Sequence, residues 1–313
     1  MSSTPSRRYV ARALGAALLA ALTLAGCSTA TGTTTGHDGA TVTVVAAENF
    51  WGSLASQLGG SRVRVHSIID NPAADPHDYE ATAADGRAVA AARLAIVNGV
   101  GYDAWATKLV DANPSDTRTT LTVGDLVGAK PGANPHRWYD PGDVRTVVDR
   151  ITAAYTRIDP KAAAYFASRR KAVLDTNLRA YFGLIDTISS RYRGTPVGAS
   201  ESIFALLAPA LGLDLRTPAG MLDAVSEGAD PTARDKATAD AQIAERRIRV
   251  YVYNSQNATP DVQAQVRAAK AAGIPVTTIT ETLTPRGASF QDWQVAQLRA
   301  LEHALATTTG TRR

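Results

Sequence analysis

The chain has 313 residues, a formal net charge of +4 and a single cysteine. One cysteine excludes an internal disulfide and any cluster of thiolate ligands. Three arginines lie in the first 26 residues without an acid, so the remainder carries about +1; with no Lys/Arg stripe interleaved with aromatics, it has no electrostatic footprint for nucleic acid.

Arg7, Arg8 and Arg12 precede an uncharged Ala/Leu-rich run over 13–25, too short to span a bilayer. A basic start before a short apolar core is the layout of a secretory signal peptide, expected over residues 1–26. The paired Arg7-Arg8 is a weak hint of twin-arginine export. Leu24-Ala25-Gly26-Cys27 resembles a bacterial lipobox, which makes Cys27 the expected lipidation site. Residues 27–40, rich in Ser, Thr and Gly, read as a flexible tether that includes a solvated His37.

Beyond the tether, strand and helix patterns alternate. Residues 41–47 are β-branched, 51–58 have helical spacing, and 62–69 alternate with period two. A strand is expected at 93–98, a helix at 103–111, an apolar stretch at 120–123 and a helix from Pro141. The second half repeats the pattern, with strands at 196–200, 248–253 and 275–280 and helices at 202–211, 231–246, 259–272 and 290–306. Such alternation predicts an α/β fold with parallel sheets covered by helices. Between the halves, 160–191 contains no glycine except Gly183 and no internal proline. It predicts one helix of about 30 residues, roughly 45 Å long, a stiff strut between two lobes; a break into two helices near Gly183 is the alternative. The expected boundaries are a first lobe at 41–155, the linking helix at 156–194 and a second lobe at 195–309.

The chemistry concentrates in four places. They are Asp75-Pro76-His77-Asp78-Tyr79-Glu80, Asn134-Pro135-His136-Arg137-Trp138, Ser200-Glu201-Ser202-Ile203-Phe204 and Thr280-Glu281-Thr282. Each follows a strand, and ligands of open parallel sheets bind beyond the carboxyl ends of strands. Two neutral imidazoles and two carboxylates would offset the charge of a divalent cation, which removes the large cost of burying it. Taken singly, each is ordinary. His66 in a strand and His303 in the last helix read as structural, and Glu48, Asp75, Asp78 and Glu80 as loop or capping residues.

Together with Ala47-Glu48-Asn49-Phe50, Asn98-Gly99 followed by Trp105, Tyr253-Asn254-Ser255-Gln256 and Ile274-Pro275, these segments resemble the zinc and manganese receptors among metal-binding ABC-transporter lipoproteins (TroA-like). The resemblance covers nearly all of the chain after the tether, in the same order. It implies two Rossmann-like lobes joined by one long rigid helix, with a metal between them on His77, His136, Glu201 and Glu281. Zinc receptors of that family often carry a histidine-rich loop and a third histidine where Glu201 stands. This chain has neither, and the segment before His136 is only 127–133. The harder ligand set suits manganese or iron, while intrinsic affinity rises toward zinc.

The function implied is capture of Mn2+ or Zn2+, with Fe2+ as a further candidate, for an ABC import permease. The receptor would be a monomeric lipoprotein on the outer face of the cell membrane, without enzymatic activity. Two other classes fit parts of the sequence. One is a strut-linked receptor for a siderophore or corrinoid, with Trp51, Trp105, Trp138 and Tyr139 lining a broad site. The other is a secreted metal-dependent hydrolase, although no His-Glu-x-x-His motif occurs. Proton competition for the imidazoles further predicts that affinity falls below about pH 6.5.

Overall fold

The computed structural model describes residues 41–309 other than 75, 78 and 258. The expected signal peptide, Cys27, the tether, His37, Asp75 and Asp78 therefore lie outside the described residues.

The first lobe runs β1 (Val42–Glu48), α1 (Asn49–Gly59), β2 (Val63–Ile69), α2 (Ala83–Ala91), β3 (Leu94–Val97), α3 (Ala104–Ala112), β4 (Thr119–Thr122), α4 (Val123–Leu126) and α5 (Pro141–Ile158). The connecting segment holds α6 (Ala163–Ala172) and α7 (Arg179–Tyr192). The second lobe runs β5 (Pro196–Ala199), α8 (Leu207–Ala210), β6 (Asp214–Leu215), α9 (Ala219–Ser226), α10 (Ala233–Ala244), β7 (Val250–Asn254), α11 (Pro260–Ala271), β8 (Val276–Ile279) and α12 (Phe290–Thr309). The sheets have the orders β2-β1-β3-β4 and β6-β5-β7-β8, and every pairing is parallel. Both lobes thus share one topology, with the order reversing between β1 and β3 and between β5 and β7. Ligands collect at such reversals.

Burial explains the strand patterns. Central β1 is covered on both faces, so it reads as a nearly unbroken apolar run; Val44 and Ala46 join the main core, while Val45 packs with Val89 and Ala92 of the α2 side. Edge strand β2 is half-solvated and keeps its alternation. Local chemistry sets the helix starts. Thr82 and Asp85 form a reciprocal capping box at α2. Asp140 accepts from the Gly142 and Asp143 amides at 2.7 and 3.1 Å and places Pro141 in the first turn of α5.

The connecting segment differs from one uninterrupted α-helix. A short 3-10 turn at Pro160–Ala162 precedes α6, and a π-helical turn at Val173–Asn177 separates α6 from α7. Asp175, Thr176 and Asn177 are weak helix formers, and Asn177 donates to the Gln57 side chain of α1 at 2.7 Å instead. Gly183, where the alternative reading put a break, lies inside α7. The helix expected at 202–211 is likewise reduced to a 3-10 turn at Ser202–Phe204 and the four-residue α8, because Pro209 cannot sit deep in a helix. Helices α2 and α9 and the two-residue β6 had no clear pattern in the sequence. No helix among the described residues is long and apolar enough to cross a membrane.

One apolar cluster runs from Val44 and Ile96 of the first sheet through Ile185 and Ile188 of α7 and Trp293, Leu301 and Leu305 of α12 to Val197 and Val250 of the second. The lobes therefore share a core, and a wide hinge opening would expose it to water.

Candidate metal centre

The site is built from the carboxyl ends of both sheets. His77 follows β2, Asn98 follows β3, His136 follows β4, Glu201 follows β5, Asn254 ends β7 and Glu281 follows β8.

His136 is wholly buried. Its backbone amide and its Nδ1 both meet Asn134 Oδ1 at 2.9 Å, while Asn134 Nδ2 donates to the Ser202 carbonyl at 2.6 Å. The Asn134 oxygen is thereby fixed as an acceptor, which puts the His136 proton on Nδ1. Nε2 is left as a buried lone pair without a hydrogen-bond partner. Such an atom is costly unless it binds something, and a second-shell partner on Nδ1 is how metal-ligating imidazoles are oriented. Burial first, and then the neighbouring His77, pull the His136 pKa down to about 3, so the ring is neutral across the physiological range. Beside it, Arg137 pairs with Asp143 in the first turn of α5 and anchors the segment.

His77 sits at the rim with about 31% of its side chain exposed, Nε2 lying 3.8 Å from Glu281 Oε2. Its loop is held by Trp105, whose indole donates to the Pro76 carbonyl at 3.0 Å. Glu281 is buried; Oε2 accepts from Tyr102 Oη at 3.0 Å and Oε1 from Asn254 Nδ2 at 2.8 Å. One ligand atom each from His77, His136 and Glu281 falls within 4.8 Å of the others. Glu201 stands outside that group of three. Its Oε1 accepts from Asn254 Nδ2 at 2.7 Å and its Oε2 from Asn257 Nδ2 at 2.7 Å. Asn254 thus links the two carboxylates, and Gln256 N bonds Asn254 Oδ1 at 2.9 Å, which orients the amide.

The segment carrying Glu281 is held by side-chain amides. Gln297 Oε1 accepts from Thr280 N at 2.8 Å, Gln256 Oε1 from Glu281 N at 2.6 Å and Thr282 N at 3.0 Å, and Asn49 Oδ1 from Leu283 N at 3.2 Å. Four consecutive backbone donors are satisfied without a sheet partner.

Tyr102, Asn254, Gln256 and Asn257 were not singled out as site residues from sequence; the signal available was their place beyond β3 and β7. Tyr102 ends a left-handed run, Gly99, Val100 and Gly101, with φ of 75°, 57° and 84°. A β-branched valine there is strained. Asp103 offsets that cost by accepting from Asn98 N at 2.6 Å and Gly99 N at 2.7 Å. Asp103 in turn faces Glu48 at the end of β1, which is fully buried. Burial first and the Asp103 charge second raise the Glu48 pKa well above the carboxylate range. Neither Glu48 oxygen has a hydrogen-bond partner, and burial raises the Asp103 pKa as well, so this dry pair of carboxyls disfavours two charges. His66 and His303 are exposed on β2 and α12, away from this chemistry.

Comparison with known proteins bears on the family and the fold. The manganese-binding lipoprotein MntA of Halalkalibacterium halodurans is 31% identical over 162 residues, 50% of this chain and 53% of that protein. The iron-binding protein YfeA of Yersinia pestis is 28% identical over 172 residues, 51% and 53% of the respective chains. The chain spans about half the length of these curated relatives. Among solved structures, the manganese-bound periplasmic metal-binding protein of Candidatus Liberibacter asiaticus superposes with a TM-score of 0.71 at 18% identity, covering 84% of this chain and 99% of that one. The periplasmic zinc-binding protein TroA of Treponema pallidum gives 0.66 at 19% identity, covering 86% and 99%. These two likenesses carry the fold: two lobes, each on a four-stranded parallel sheet. The model of the ZnuA family, described as zinc-uptake complex component A, periplasmic, matches residues 44–304, and the chain belongs to that family.

Proposed function

We propose that the chain is an extracytoplasmic solute-binding lipoprotein that captures a divalent transition-metal ion between its lobes and delivers it to an ABC import permease. The observation that carries this reading is the bare, buried Nε2 of His136, a residue that offers a ligand atom within 4.8 Å of ligand atoms from His77 and Glu281. Two imidazoles and one carboxylate make a site for a cation. Glu201 is the fourth ligand of the proposal, joining once an ion draws one of its oxygens from Asn254 or Asn257. The lobes are taken as 41–155 and 195–309 with the connector at 156–194, the anchor as Cys27, and the working form as a monomer.

Capture and hand-over need no bond chemistry, so no enzymatic activity is assigned. Manganese(II) and zinc(II) are the proposed cargoes, with iron(II) compatible with the same ligands; the names of MntA and YfeA favour the harder ions, and the affinity series favours zinc. The organic-ligand alternative loses its support, since Trp51, Trp138 and Tyr139 are wholly buried in the core. Trp105 is occupied in holding Pro76. The cavity of about 420 Å³ at the site mouth is instead lined by Pro72, His77, Ser226, Gln256, Asn257 and Glu281.

Competitive titration of the full chain with manganese(II), iron(II) and zinc(II), read by thermal unfolding, tests the proposal. A bound ion stabilises by mass action, about 2.7 kcal/mol at a hundredfold excess over Kd. The melting temperature should rise with at least one ion in the wild type and in no His136→Ala sample. A rise that survives His136→Ala would refute the site.

A further inference from the structure

Gln256 occupies a singular position in the cleft. From the loop after β7, its Oε1 accepts from the backbone amides of Glu281 and Thr282 at 2.6 and 3.0 Å. Its Nε2 donates to the Pro72 carbonyl, in the first-lobe loop that leads to His77, and to Thr282 Oγ1 at 2.8 Å. Its own amide fixes Asn254. The Gln256 side chain therefore joins the loop of His77 to the segment of Glu281, while its backbone N–H holds the amide that links Glu201 to Glu281. It also stands on the wall of the cavity through which His77 meets solvent. Deeper in the cleft Tyr102 and Asn49 also reach Glu281 and Leu283, whereas the tie from Asp70 to Arg286 at 2.7 Å is exposed and screened by salt.

We propose that Gln256 is the positioning residue that sets how fast the ion leaves: it keeps the His77 and Glu281 segments together, and its displacement is the step that opens the site for release. This rests on the metal-capture reading and adds its regulation. The shared core of the lobes restricts opening by a wide hinge. Release by local parting of two loops needs only the exchange of a few partly exposed hydrogen bonds for bonds to water, which costs little because water replaces each lost partner. Neutral amides suit that exchange, since the same bonds made by a buried ion pair would be far harder to open.

Two substitutions divide the role. Gln256→Met removes all the side-chain bonds. Gln256→Glu keeps an acceptor for the Glu281 and Thr282 amides but replaces the donor to Pro72 by an oxygen that repels the carbonyl. The full chain, loaded with manganese(II) or zinc(II), is mixed with excess EDTA, and loss of the ion is followed by tryptophan fluorescence in stopped flow; association is measured separately. Both variants are expected to release the ion about tenfold faster, with association changed less than about twofold. Acceleration in Gln256→Glu is diagnostic, because an added negative charge beside a cation would by itself slow departure. Release at the wild-type rate in Gln256→Glu overturns the proposal, as does an equal change in association and dissociation. If Gln256→Met does not fold, Gln256→Glu alone decides. Wild-type protein that retains neither ion through gel filtration is a failure of the metal-capture reading, seen before any variant is made.

Discussion

Replacing Glu48 by glutamine should make the protein more stable at neutral pH, and progressively more so as pH rises. In the folded chain Glu48 is fully buried and held protonated against Asp103, first by burial and then by the Asp103 charge. In the unfolded chain it ionises above its ordinary value of 4.5. Over the interval in which only the folded state keeps the proton, unfolding releases one proton, so stability falls with rising pH by about 1.4 kcal/mol per unit. Each such unit is a sizeable share of a typical stability of about 5–15 kcal/mol. Glutamine has nearly the same shape and offers Asp103 an N–H at every pH, so the slope disappears. Alanine offers neither donor nor volume and should cost about 2–4 kcal/mol throughout. Urea unfolding of the metal-free full chain at pH 5.5, 6.5 and 7.5 measures both, and the other titrating groups cancel in the difference between wild type and Glu48→Gln. That difference should widen with pH. Parallel profiles would mean that Glu48 is ionised in the folded state and that the pair is held some other way.

The pKa of His136, lowered to about 3, works in the opposite direction. Below its ordinary value of 6.5 the unfolded chain takes up a proton that the folded ring refuses, so metal-free stability should fall by about 1.4 kcal/mol per unit as pH drops from 6.5 toward 3, and His136→Asn should flatten that limb in urea titrations. At Gly99, where φ is 75° and an added Cβ would meet Thr122 Cγ2 at 2.7 Å, alanine should lower stability by about 2 kcal/mol or more and loosen Tyr102 from Glu281. By contrast, an added Cβ at Gly183 in α7 meets nothing within 4 Å, so Gly183→Ala should raise stability by about 0.5–1 kcal/mol without changing metal binding. Thermal and urea unfolding decide both.

Much of the fold was legible in the sequence because its determinants are local. The β-branched run at 41–47, the alternation at 62–69 and the Pro141 start each declare an element without reference to the rest of the chain. The connector illustrates the limit. Composition predicts one helix, whereas the connector takes a π turn at Val173–Asn177, where the Asn177 side chain bonds Gln57, 120 positions earlier. His77, His136 and Glu281 were legible as residues of ligating type beyond strand ends, and the structure brings these three together. Tyr102 and Asn254 were not, since the Tyr102 bond to Glu281 spans 179 positions and no periodicity encodes it.

The less legible part of the site is where its electrostatics are set. Glu201 and Glu281 accept from Asn254, Asn257 and Tyr102, all neutral donors. An arginine in any of those places would hold the carboxylates more firmly, with charge-assisted bonds, but it would also cancel the negative charge that attracts the ion. Amide and phenol groups orient the oxygens and leave their charge nearly intact for a cation. Their bonds are also weak enough to be exchanged singly when the ion leaves. On the proposed reading the chain must both bind its cargo and surrender it, and a first lobe supplying imidazoles with a second supplying carboxylates on neutral tethers suits both demands.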